Sequence, residues 1–146
     1  MIGLLQRVQH ASVTVEKNEI ASIKQGLLVF VGIEREDTQL QADTLLRRLL
    51  SYRIFSDDND RMNLSIQDIK GSLLLVPQFT LAADTHKGMR PSFTPAAPPE
   101  QGLLLFNYLC EQAKQQYYPV QTGQFGADMK VSLTNDGPVT FWLQTK

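Results

Sequence analysis

Cysteine is nearly missing from this chain: Cys110 is the only one in 146 residues. No internal disulfide can form, and a lone thiol points to a reducing compartment, so the expected location is the cytoplasm. Histidine is scarce too, and His10 and His86 lack the spacing of metal ligands. With one cysteine no zinc ribbon can be built, so neither a metal nor a cofactor is expected. No stretch approaches the roughly 20 apolar residues that span a bilayer, and the opening MIGLLQRVQH turns polar by position 6, too early for a secretory core. A membrane is not an expected partner. Neither sign of charge dominates: 14 Lys and Arg against 15 Asp and Glu leave -1, which argues against a protein that wraps a long nucleic acid by neutralising phosphates. A protein that grips only the tip of an RNA needs few such contacts. The acidic run Asp57, Asp58 and Asp60 lacks the glycine and closing glutamate of a calcium loop and reads as a solvated turn. Repeats, linkers and low-complexity tracts are absent as well, leaving residues 1–146 as one expected domain.

What is present is a clear alternation of element types. Ile2 to Val15 is strand-like, with Val13 and Val15 alternating with Ser12 and Thr14, and KNE at 17 to 19 is a hairpin turn into a second strand from Ile20 to Lys24. The run LLVFVGI after Gly26 has the length of a strand buried on both faces, which makes it the expected central strand. Asp37 or Thr38 can cap a helix in which Leu45, Leu46, Leu49 and Leu50 face inward while Arg47 and Arg48 point out, ending near Tyr52. GSLLLVPQFTL at 71 to 81 reads as strand again, and residues 83 to 99, with four prolines, as a long surface loop of the kind that is usually functional. A second helix after Pro98 and Pro99 places Leu103, Phe106, Cys110, Ala113 and Tyr117 on one stripe until Pro119 stops it. Met129, Val131 and Leu133, then Val139, Phe141 and Leu143, form a terminal hairpin around NDG at 135 to 137. The expected fold is α+β: a strongly curved, mainly antiparallel, barrel-like sheet covered by two helices.

Two segments carry the chemistry the rest of the chain lacks. PQFTL at 77 to 81 ends a hydrophobic strand on an amide, a ring and a hydroxyl, and NDGPVT at 135 to 140 combines glycine with proline. Periodicity alone favours a plain strand for the first, with Phe79 and Leu81 facing the core, and a plain hairpin turn for the second. Cys110 on an apolar stripe behaves as a small hydrophobe.

Taken together, however, the two segments resemble the signatures of the D-aminoacyl-tRNA deacylase family, usually written SQFTL and NXGP. Gln78, Phe79, Thr80 and Leu81 match the first; Asn135, Gly137 and Pro138 match the second. QRV at 6 to 8, ASVTV at 11 to 15, GLLVFVGI at 26 to 33, YRIFSD at 52 to 57, MNLS at 62 to 65, RPSF at 90 to 93 and FGADMKVSL at 125 to 133 are similar to the family pattern in the family order. One position departs: Pro77 stands where serine is common, without its hydroxyl or backbone N–H. A role for that serine does not carry over.

The resemblance implies a homodimer whose active site lies at the subunit interface. There the Gln78, Phe79 and Thr80 segment of one protomer would meet the Gly137 and Pro138 turn of the other. The Gly-Pro peptide is expected to be cis, its carbonyls holding the substrate ammonium and excluding an L side chain. The implied reaction is hydrolysis of the ester of D-aminoacyl-tRNA or glycyl-tRNA, a proofreading of chirality in translation. Backbone N–H groups of Phe79 and Thr80 are the expected oxyanion donors. Nothing in QFTL supplies a base for the Thr80 hydroxyl, so the vicinal 2′-hydroxyl of the terminal adenosine is the expected assistant and Thr80 a positioning residue. Arg7, Lys87 and Arg90 are expected contacts to the tRNA acceptor end. The rival readings are a hydrolase of other small activated esters and a non-catalytic nucleic-acid-binding dimer.

Overall fold

A long strand organises the molecule, whose computed structural model describes residues 1–146. Strand β1 (Ile2–Val15) carries neighbours on both edges. One edge pairs antiparallel with β2 (Asn18–Ile23) along Ala11 to Val15 and with β3 (Gly26–Gly32) along Ile2 to Val8. The reversal into β2 falls at Glu16 and Lys17, both at positive φ (49° and 67°), one residue earlier than the expected turn. Two positive φ values in succession match the twist of a tight hairpin.

From β3 the chain crosses over through α1 (Gln39–Ser51) to β6 (Ser72–Pro77), which lies parallel to β3. A second crossover through α3 (Pro99–Gln116) delivers β7 (Val120–Thr122) parallel to β6. The sheet is therefore mixed: its pairings along β1 are antiparallel, as expected of most of the sheet, and the two made by β6 are parallel, because a strand, helix, strand connection of this length returns the chain in the same direction. It curls until β2 approaches β7, where the Ser22 N–H donates to Gln121 Oε1 at 2.6 Å, giving the barrel-like form. Between the crossovers lie a ribbon of β4 (Phe55–Ser56) and β5 (Met62–Leu64) around the 56 to 60 turn, and the single turn α2 (Ile66–Ile69). The Asp57 carboxylate accepts the Asn59 and Arg61 N–H groups at 2.9 and 3.0 Å, so the acidic run is indeed turn chemistry.

The core has two halves. Leu27, Val29 and Val31 of β3 and Leu73 and Leu75 of β6 pack against Leu45, Leu46 and Leu49 of α1 and Phe106 and Leu109 of α3. The intervening Leu28, Leu74 and Val76 face the other way, onto Val8, Val13 and Ile23. Both strands are buried on both faces, which is why their sequences do not alternate. Thr38 caps α1 with a reciprocal bond to Gln41, while Asp37, the other candidate cap, is buried against the Met1 ammonium at 2.5 Å. The buried stripe of α3 runs through Leu105, Phe106, Leu109, Cys110 and Ala113, and Leu103, expected on it, is largely exposed. No helix is long and apolar enough to cross a membrane.

The last strand corrects an expectation. In place of a terminal hairpin there is one strand, β8 (Met129–Gln144), antiparallel to β1 along nearly its whole length. Alternation on either side of NDG looks the same whether the two halves pair with each other or both pair with β1. Register with β1 jumps from Gln6 opposite Thr140 to Val8 opposite Asn135, so Asp136 to Val139 bulge out of the ladder.

Candidate active site

Strand β6 ends at Pro77, and the next residues do not continue it. The Gln78 N–H makes a last bond to the Val31 carbonyl at 2.8 Å, and Phe79–Ala82 then wind into a 3-10 turn whose first internal bond is from the Leu81 N–H to the Gln78 carbonyl at 3.2 Å. This corrects the strand reading of 71 to 81. The turn packs closely on β3 because residue 32 is glycine: a Cβ there would sit 2.8 Å from Cβ of Leu81. The turn alters the local chemistry in two ways. The N–H groups of Phe79 and Thr80 precede the first internal bond of the turn and are left free to donate outward. Phe79, expected to face the core as a plain strand residue, is 59% exposed, with its ring 5.2 Å from that of Phe93. The exposed Thr80 hydroxyl accepts from Gln78 Nε2 at 2.5 Å. An amide cannot take a proton from it, so no base activates this hydroxyl.

Beside the turn opens a cleft of about 450 Å³, lined on one side by Val76, Pro77, Gln78 and Phe79 and on the other by Phe125 and Met129. Such a lining, mostly apolar with Gln78 and Asp128 as its polar side chains, suits a ligand-sized organic group. The sequence pattern marks Met129, Val131 and Leu133 as strand and the FGADMKVSL segment as family-like, and gives none of these residues a place in a site. The available signal was the stretch from Gly123 to Asp128, between β7 and β8, which carries Gly126 at a φ of 79° and no strand pattern.

The second motif is held as tightly as the first is left open. Within the bulge of β8 the Asn135 side chain accepts the Val139 N–H at 2.7 Å and donates to Thr140 Oγ1 at 2.8 Å. Arg7 Nε donates to the Asp136 carbonyl at 2.9 Å and its Nη1 to the Ile54 carbonyl at 2.8 Å. The Arg7 side chain is only 12% exposed, so its guanidinium braces the bulge from beneath instead of facing outward. The Gly137-Pro138 peptide is cis and both residues are exposed. Gly137 has a φ of 136°, and a Cβ there would lie 2.7 Å from Val139 Cγ2 and 3.0 Å from Arg7 Nη2. Only glycine fits. Neither Gly137 nor Pro138 lines the cleft beside Gln78 and Phe79, so one chain does not bring its own two motifs into one pocket.

Lys87 and Arg90 sit exposed in the loop after the 3-10 turn. That loop is closed at its base by reciprocal backbone bonds between Asp84 and Ser92 at 2.8 and 3.0 Å. Cys110 lies buried on α3, where desolvation pushes its thiol up to about 12, and it takes no part in the site.

The family model described as D-Tyr-tRNA(Tyr) deacylase matches residues 4–144. A D-aminoacyl-tRNA deacylase of Janthinobacterium sp. (strain Marseille) is 61% identical over 146 residues, covering 100% of this chain and 98% of that one. One from Pseudomonas putida is 61% identical over 144 residues, covering 99% of each. Among solved structures, a c-Myc DNA unwinding element binding protein superposes with a TM-score of 0.95 at 39% identity, covering 100% of this chain and 99% of that one. A family model that matches nearly the whole chain, and relatives 61% identical from end to end, show that the chain belongs to the D-Tyr-tRNA(Tyr) deacylase family.

Proposed function

We propose that this chain is a D-aminoacyl-tRNA deacylase that cleaves the ester between a D-aminoacyl group, or glycine, and the terminal adenosine of tRNA at the start of the 3-10 turn. The observation that carries this reading is the pair of outward-free N–H groups on Phe79 and Thr80 beside an apolar cleft. Two preorganised donors at that point hold the carbonyl oxygen as it gains charge. Water adds to the carbonyl carbon as the vicinal 2′-hydroxyl relays its proton to the 3′ oxygen, and the tetrahedral intermediate collapses by expelling that oxygen as the free ribose hydroxyl, leaving the amino acid as its carboxylic acid. Gln78 and Thr80, joined by their hydrogen bond, orient the ester. No covalent intermediate is formed on the protein.

Chirality is checked by Gly137 and Pro138 supplied by a second copy of the chain. Support comes from their exposure and their separation from the cleft of their own chain. Support comes also from the outer edge of β8, which pairs with β1 alone and leaves a 16-residue edge for another chain to cover. The carbonyls of the bulge receive the ammonium and leave no space where an L side chain projects. The whole chain acts as one domain, in the cytoplasm, on the acceptor end of tRNA.

Matched D- and L-aminoacyl-tRNA test the reading directly. The D substrate should be cleaved faster by several orders of magnitude, with glycyl-tRNA also cleaved; equal rates on the two enantiomers contradict it. The name of the solved relative favours one second reading, a non-catalytic nucleic-acid-binding dimer, and that reading predicts tight binding of uncharged nucleic acid without turnover.

A further inference from the structure

The near-neutral net charge of the chain conceals a local departure beside the site. From Thr85 to Pro99 there is no carboxylate, while Lys87 and Arg90 are both present. Neither cation is engaged in an ion pair; the acid at the base of the loop, Asp84, is taken by the His86 ring at 2.7 Å. The same loop delivers Phe93, 42% exposed, against Phe79, 59% exposed, with an interplanar angle of 49°. The Asp84 and Ser92 backbone bonds that close the loop fix Phe93 immediately after them. Two large rings left half in water, one of them on a loop that also carries two unpaired cations, forgo burial that a core pair would have taken. The combination is the one that holds single-stranded nucleic acid: faces that accept any base, with positive charge along the backbone.

We propose that Phe93, paired with Phe79 and served by Lys87 and Arg90 of the same loop, is a stacking platform for the unpaired nucleotides just 5′ of the terminal adenosine. The assignment rests on the ester being cleaved at the Phe79 and Thr80 amides. Distance supports it: the Phe93 ring lies 5.2 Å from that of Phe79, and stacked nucleotides advance roughly 3.4 Å each. A strand leaving the ester therefore reaches Phe93 within one or two nucleotides. The platform explains how a chain of net charge -1 engages an RNA: it grips a short single strand at one loop and needs no basic face.

The test compares two substrates of one enzyme, D-aminoacyl-tRNA and D-aminoacyl-adenosine, which ends where the platform begins. Phe93→Leu should lower kcat/KM on the tRNA substrate about tenfold, through KM, within the range that loss of one stacked base gives. On D-aminoacyl-adenosine the change should stay below about twofold, because that substrate carries no nucleotide to stack. Phe93→Tyr, which keeps the ring face, should restore the tRNA value. Joint replacement of Lys87 and Arg90 by Gln should flatten the salt dependence of KM for tRNA by about 1.4 in the log–log slope, at about 0.7 per contact to a single strand. Equal losses on both substrates, or no loss on either, would overturn the platform. Gly137→Ala, assayed alongside, separates the two levels: if it too leaves D-aminoacyl-adenosine turnover untouched, the fault lies with the site on which the platform depends.

Discussion

The two motifs of this fold solve opposite problems with the same material, the backbone. At residues 77 to 82 a strand stops, and what matters is that nothing inside the chain claims the N–H groups of Phe79 and Thr80. At residues 135 to 140 a strand refuses to stop, and what matters is that the bulge is braced from within at both ends: the Val139 N–H by Asn135, and the Asp136 carbonyl by Arg7. A donor aimed at a transient oxyanion must be free, whereas a wall that rejects an enantiomer must not move. The first motif should therefore tolerate loss of side chains and suffer from loss of N–H groups. The second should be intolerant wherever its bracing is touched.

At the second motif the largest effect is expected from Gly137→Ala. The added Cβ falls 2.7 Å from Val139 Cγ2 and 3.0 Å from Arg7 Nη2, at a φ of 136°. Strain of about 1–3 kcal/mol is absorbed by the exposed bulge, so the fold survives while its carbonyls shift. D-aminoacyl-tRNA cleavage should fall by roughly a hundredfold, as a misplacement of about 1 Å does elsewhere, and the D over L ratio should shrink with it; single-turnover assays on both enantiomers read the two quantities. Next comes Arg7→Lys, which keeps the charge but cannot reach both the Asp136 and Ile54 carbonyls with one fork. Loss of a partly buried donor costs about 1–3 kcal/mol. Thermal unfolding should register that loss, and the D over L ratio should fall although Arg7 does not face outward.

Thr80→Ala sharpens the contrast from the other side. Its hydroxyl is bonded only to the Gln78 amide, so the variant should retain turnover within about tenfold, the scale of one lost positioning hydrogen bond. A substrate lacking the 2′-hydroxyl should lose most of its rate with the unaltered enzyme. Trapping of an acyl group on Thr80 would reverse the assignment. The smallest effect belongs to Cys110, remote from both motifs. Burial pushes its thiol from 9.0 up to about 12, a folded value above the unfolded one. Its contribution to stability is thus complete below pH 9.0 and is lost as pH rises toward 12. Unfolding by urea at pH 8 and pH 10 should show a decline of about 1 kcal/mol per pH unit above the lower value, less in Cys110→Ala, with deacylation at neutral pH unchanged in that variant.

Much of this architecture was legible in the residues. The unbroken LLVFVGI run announced a strand buried on both faces, and Leu45, Leu46, Leu49 and Leu50 marked the inward face of α1. What escaped was information that local pattern does not hold. Period-2 alternation around NDG is the same for a hairpin and for a bulged strand, and only the partner, β1 at the far end of the chain, distinguishes them. The stop at Pro77 was readable in principle, since proline cannot donate to a ladder; alternation of Phe79 and Leu81 with polar neighbours masked it. Residues 125 to 128 escaped because loops that line a cleft have no periodicity to betray them. The identity of the site residues came from resemblance to a family, and their backbone geometry only from the fold.

The central claim is that bare backbone N–H groups, and no nucleophilic side chain, carry the chemistry. Phe79 heads the 3-10 turn, a position where proline is tolerated without disturbing the rest of the turn, so Phe79→Pro removes one donor while Phe79→Ala removes only the ring. Single-turnover cleavage of D-aminoacyl-tRNA by these two variants isolates the N–H. The account predicts that Phe79→Pro is slower than Phe79→Ala by about a hundredfold or more, the scale of one lost oxyanion donor. Equal rates in two folded variants would contradict it.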